Sequence, residues 1–133
     1  MTREIPPTPT VLVVDDEALI RWALSEGLSD AGYPVKLAAT GADALATVRA
    51  SEGLPLVVVL DLRLPDVADL SLLRQIRAAR PDVPVIMMTA HGSSEDAAEA
   101  LRIGAVKFVG KPFDVTEFVR LVATAWAHRT AAS

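Results

Sequence analysis

Two short apolar runs in this chain each end on acid. Val11-Leu12-Val13-Val14 leads directly into Asp15-Asp16, and Val57-Val58-Val59-Leu60 leads into Asp61. An unbroken apolar run of that length reads as a strand buried on both faces, as in a parallel sheet covered by helices. If the two runs lie side by side, the three carboxylates meet beyond the carboxyl ends of the strands. That edge is where open α/β sheets bind ligands. At an assumed ~5 Å and an effective dielectric of ~20, each like-charged pair repels by roughly 3 kcal/mol. A fold keeps such a cluster only if a cation or a partner offsets it.

The rest of the chain alternates short apolar runs with amphipathic stretches. A first helix carries Ile20, Ala23, Leu24, Gly27, Leu28 and Ala31 on one stripe, with Gly32 as its stop. Trp22 falls off that stripe and reads as a partly buried surface residue. Val35 to Ala38 is a second strand, and Thr40 caps a helix through Ala44, Leu45 and Val48. Leu56 to Leu60 is strand three. Leu70, Leu73, Ile76 and Arg77 belong to a third helix, which stops before Pro81. Val83 to Met88 is strand four. Ser93 or Ser94 caps a fourth helix, with Glu95 and Asp96 near its positive end, and Gly104 ends it. Val106 to Val109 is strand five, and Asp114 caps a last helix carrying Phe118, Leu121, Val122 and Ala125. This alternation implies right-handed βαβ crossovers and a parallel sheet covered on both faces.

Composition narrows the function classes. A length of 133 residues suits one domain, and 51% hydrophobic residues supply a sizeable core. A net charge of -4 and a pI near 5.1 argue against nucleic-acid binding by this segment. With no cysteine, disulfides, thiolate metal sites and thiol catalysis are excluded. No apolar stretch approaches a membrane span, and the proline-rich start has no secretory h-region. A cytoplasmic protein with no membrane partner is the expectation.

Four motifs stand at predicted strand ends: Val-Asp-Asp-Glu at 14–17, Asp-Leu-Arg-Leu-Pro at 61–65, Met-Thr-Ala-His-Gly at 88–92 and Gly-Lys-Pro-Phe at 110–113. Together they resemble the receiver domain of two-component response regulators, most closely the nitrogen-regulatory-protein-C-like (sigma-54 activator) class. The resemblance implies a flavodoxin-like, doubly wound five-stranded parallel sheet, order 2-1-3-4-5, with helices on both faces. It divides the chain into a flexible leader (1–9), a receiver domain (10–128) and a tail or start of a linker (129–133). The implied function is a phosphoacceptor switch, which catalyses only its own phosphorylation and dephosphorylation. Asp61 would be phosphorylated by a sensor histidine kinase. Asp15, Asp16, Asp61 and the backbone carbonyl of Arg63 would hold Mg²⁺. Thr89, Lys111 and Phe108 would form the switch. The face made by the fourth helix, fifth strand and fifth helix would then change, to meet an output domain, a partner or a second copy in a homodimer.

Other readings of the same residues stay open. Thr89 also suits a strand end, Phe108 suits plain core, and Lys111-Pro112 suits a turn, for which the family suggests a cis peptide. The alternative function is a receiver-like interaction module that takes no phosphate. A haloacid-type phosphatase would need an acid where Arg63 stands. Arg63 and His91 flank the site and are candidates for controlling water access to the acyl phosphate. The chain departs from the family at Asp66-Val67-Ala68-Asp69, where a Gly, an apolar residue and then Asp-Gly are common, so the loop is expected to be reshaped. Lys107 stands at a commonly acidic position, which changes the charge of the output face.

Overall fold

The apolar runs form strands, and the amphipathic stretches between them form helices. The order is β1 (Thr10–Val14), α1 (Ala18–Asp30), β2 (Val35–Ala38), α2 (Gly41–Ala50), β3 (Leu56–Asp61), α3 (Ser71–Ala79), β4 (Val85–Thr89), α4 (Ser94–Ile103), β5 (Lys107–Gly110) and α5 (Val115–Ala127). The computed structural model describes residues 8–90, 93–111 and 113–129. All strand pairs are parallel, in the order β2-β1-β3-β4-β5. This is the expected doubly wound topology.

Burial on both faces explains the unbroken runs. Val11 and Val13 of β1 pack with Leu24 and Leu28 of α1 and Phe118 and Val122 of α5. Leu12 and Val14 pack with Val48 of α2 and Leu73 and Ile76 of α3. β3 and β4 divide in the same way, Val57, Val59, Ile86 and Met88 to one layer and Leu56, Val58, Leu60, Val85 and Met87 to the other.

The predicted caps are in place. Thr40 Oγ1 accepts from the Asp43 N–H at 3.1 Å. Ser93 and Asp96 form a reciprocal capping box. Asp114 accepts from the N–H groups of Thr116 and Glu117. Gly32 and Gly104 end their helices at positive φ, +96° and +126°.

Several boundaries differ from the sequence expectation. β4 starts at Val85 rather than Val83, because the Val83 N–H closes a turn onto the Arg80 carbonyl. β5 is shifted one residue, to Lys107–Gly110. Leu70 caps α3 instead of lying within it, and Leu72 joins Leu73 and Ile76 in the core. Trp22 is 60% exposed rather than partly buried. Pro9, expected in the loose leader, is buried.

Two features hold the layers together. Arg80 is buried and donates to the carbonyls of Ser51 (2.6 Å) and Leu54 (2.8 Å) while pairing with Asp82 at 2.9 Å. It thus ties the end of α3 to the loop before β3. Elsewhere, α1 approaches α5 at Gly27, where an added Cβ would collide with Cγ1 of Val115. Gly27→Ala should therefore destabilise the fold despite alanine's helix preference, worth about 1 kcal/mol. Overpacking of about 1–3 kcal/mol outweighs that gain. Chemical denaturation should show the loss, and Val115→Ala in the same chain should restore it.

Candidate functional site

Strand register brings the acids together. Val14 of β1 pairs with Leu60 of β3, so Asp15 and Asp61 come next at the same level on neighbouring strands. Such strands lie about 4.8 Å apart. β1 and β3 also flank the point where the strand order reverses, the usual crevice of such sheets. One carboxylate oxygen from each of Asp15, Asp16 and Asp61 falls within 4.8 Å of the others. Asp15 and Asp61 are buried and Asp16 is exposed, so the cluster has a closed floor and an open side.

The opposite charge arrives from β5. The Lys111 N–H donates to the Thr89 carbonyl at 2.8 Å, which fixes the lysine backbone beside the end of β4. Its Nζ lies 2.7 Å from Asp15 Oδ2 and 3.2 Å from both Asp61 Oδ2 and Glu17 Oε1. Burial opposes the charge on Lys111, but the hydrogen bond and charge of Asp15, with the charge of Asp61, outweigh it and raise the pKa. Asp61 is raised chiefly by burial and secondarily by Asp15; the Arg63 N–H, donating to Oδ1 at 3.2 Å, and Lys111 oppose this without cancelling it.

Asp15 Oδ2 is the informative atom. It is buried, and its close partner among the described residues is the Lys111 ammonium at 2.7 Å. A buried anionic oxygen held by a single ammonium, beside two further carboxylates, fits a small hard cation that takes oxygen ligands and retains water. The donor set therefore suits Mg²⁺.

The other sequence candidates occupy the same rim. Thr89 is buried at the end of β4. Met87 pairs with Phe108, so alternation puts Thr89 on the sheet face that Phe108 occupies. Phe108 is half-buried against the α2–α3–α4 layer. Arg63 is exposed on the β3–α3 loop, and Lys107 is exposed on β5. His91 and Pro112, with the readings placed on them, lie outside the described residues.

Two contributions were not anticipated. Glu17, the last residue of the Val-Asp-Asp-Glu motif and given no role of its own, pairs with Lys111. Asp66 accepts from the N–H groups of Gly41 (2.8 Å) and Ala42 (3.0 Å) at the start of α2, which hold its carboxyl below the usual range. The loop it belongs to has no residue at positive φ. Leu64 and Val67 bond each other's backbones, and Asp69 Oδ1 accepts from the Ser71 N–H at 2.9 Å. Asp69 thus closes a turn just ahead of α3 without a glycine's conformation.

Comparison with known proteins agrees with this geometry. Residues 11–123 match the response regulator receiver domain family. The chain is 40% identical over 118 residues to the DNA-binding transcriptional regulator NtrC of Escherichia coli K12, covering 89% of this chain and 25% of that protein. It thus spans about a quarter of the length of the NtrC regulators it matches. A CheY-like receiver domain from Methanospirillum hungatei superposes with a TM-score of 0.84 at 26% identity, over 91% of this chain and 95% of that one. The receiver domain of NtrX from Brucella abortus gives 0.80 at 35% identity, over 89% and 98%. Among the described residues, no helix is long and apolar enough to cross a membrane.

Proposed function

Because the chain belongs to the response regulator receiver domain family, we propose that it is a phosphoacceptor switch in which Asp61 receives a phosphoryl group from a histidine kinase. The observation that carries this is the convergence of three carboxylates within 4.8 Å, with Lys111 contacting two of them. A carboxylate oxygen of Asp61 attacks phosphorus as the phosphorus–nitrogen bond of the donor phosphohistidine breaks. The electron pair leaves with the imidazole nitrogen, which takes a proton from solvent, and an acyl phosphate remains on Asp61. Asp15, Asp16, Asp61 and the Arg63 carbonyl would hold Mg²⁺. When bound, the ion neutralises charge developing on the phosphoryl oxygens.

The chain's own residues act around that step. Lys111 Nζ already lies 3.2 Å from Asp61 Oδ2 and forms an ion pair with the new phosphoryl oxygens. Thr89 donates its hydroxyl to the same group. Its shift lets Phe108, on the same sheet face, turn inward. The α4–β5–α5 face then changes by population shift, for an output domain or a second copy. Residues 10–128 act as the receiver, in the cytoplasm, and the output is transcriptional, a reading that the likeness to the DNA-binding transcriptional regulator NtrC supports.

Intact mass of the wild type after incubation with Mg²⁺ and a small phosphodonor tests the reading. The expected result is the gain of one phosphoryl group, lost when the metal is chelated. No gain would favour an interaction module that never takes phosphate.

A further inference from the structure

The β3–α3 loop borders the acidic cluster, and it is fastened at a distance. The first turn of a helix leaves N–H groups without helical partners. In α2, Thr40 takes the third of them, at Asp43. The first two, at Gly41 and Ala42, go to the two oxygens of Asp66, 25 and 24 residues away in the chain. The contact is close by design of the surrounding residues. Gly41 is buried, and a Cβ there would lie 2.7 Å from Cγ1 of Val67 and 3.2 Å from Cδ2 of Leu72. From Asp66 the loop runs back through the Leu64–Val67 turn to Arg63, whose N–H bonds Asp61 Oδ1 at 3.2 Å.

We propose that Asp66, clasped to the start of α2, is a positioning residue that sets the loop bordering Asp61 and thereby the divalent-cation affinity of the acidic cluster. This rests on the reading of that cluster as a Mg²⁺ and phosphoryl site. Asp66 bonds the N–H groups of Gly41 and Ala42 rather than the three acids, and it acts through the turn and the Arg63 N–H. Releasing the clasp lets the loop adopt positions in which that N–H no longer holds Asp61 Oδ1.

Calorimetric titration with Mg²⁺ tests this directly. Asp66→Ala should weaken binding about tenfold, the low end for losing an outer support of a metal site. Asp66→Asn keeps one accepting oxygen and should fall between, and it carries the test should the alanine variant fail to fold. Gly41→Ala strains the same clasp from the other side and should act in the same direction. With a small phosphodonor, the Mg²⁺ concentration for half-maximal phosphorylation should rise in parallel, while the rate at saturating Mg²⁺ stays within about twofold. Folded Asp66 variants with wild-type Mg²⁺ affinity would overturn the proposal. A wild type that binds Mg²⁺ but gains no phosphoryl group would instead sink the phosphoacceptor reading and leave the titration to decide the role of Asp66.

Discussion

Asp61→Asn is expected to abolish phosphoryl transfer and, at the same time, to stabilise the metal-free protein. The first effect follows because an amide has no anionic oxygen to attack phosphorus, and the buried acid it replaces is the one that Lys111 and the Arg63 N–H both address. The second follows from the sign of its pKa shift. Burial, reinforced by Asp15, raises Asp61 above its ordinary 3.8. A raised acid favours the fold when protonated, so its contribution is fully present below pH 3.8 and is lost as pH rises through the higher folded value. At neutral pH the wild type carries that loss, and the neutral amide removes it. Thermal or chemical unfolding in chelator should place the variant roughly 0.5–2 kcal/mol above the wild type, the usual range for relieving one unfavourable feature. Mg²⁺ should then narrow the gap, because only the wild type keeps all three carboxylates. A variant that still takes one phosphoryl group would move the acceptor elsewhere.

Lys111→Ala is expected to have the opposite effect on stability. Asp15 is fully buried, and Lys111 supplies the one cationic group within contact of its Oδ2 among the described residues. Removing it leaves a buried charge unpaired, which costs about 3–5 kcal/mol. Mg²⁺ should recover much of that loss by restoring positive charge to the cluster. Because the lysine pKa is raised, its contribution is complete below 10.5 and is lost only as pH rises through the higher folded value. The wild type should therefore show no Lys111-dependent instability from about pH 6 to 9. Denaturation of both proteins, with and without Mg²⁺, checks this. An equal loss in both conditions would mean that Lys111 supports the fold by packing rather than by balancing the acids.

How far the sequence could be read depended on the range of each interaction. The runs at Val11–Val14 and Val57–Leu60 are local signals. Once they are accepted as buried parallel strands, adjacency alone brings Asp15 and Asp61 to one edge. The caps at Thr40, Ser93 and Asp114 are equally local, each closing on a backbone N–H within three residues. Asp66 carries no such signal. In the sequence it is one acid in an atypical loop, and its partners at Gly41 and Ala42 come close only after the chain has folded. Arg80 was invisible for the same reason, since its carbonyl partners lie 29 and 26 residues earlier. β4 starts two residues after Val83 because the Val83 N–H closes a turn onto Arg80, and Pro81-Asp82 and Pro84, which lacks a ladder N–H, are its trace in the sequence. Trp22 points outward, as its place off the apolar stripe of α1 allows, and is more exposed than the partial burial expected of it.

Direct titration of Mg²⁺ into the wild type and Asp15→Asn tests the central claim most closely, since Asp15 brings a fully buried carboxylate to the cluster while Asp61 remains intact. The account predicts one binding site in the wild type and its loss, or a drop of at least about tenfold, in the variant. No Mg²⁺ binding by the wild type, or binding undiminished in Asp15→Asn, would contradict the account.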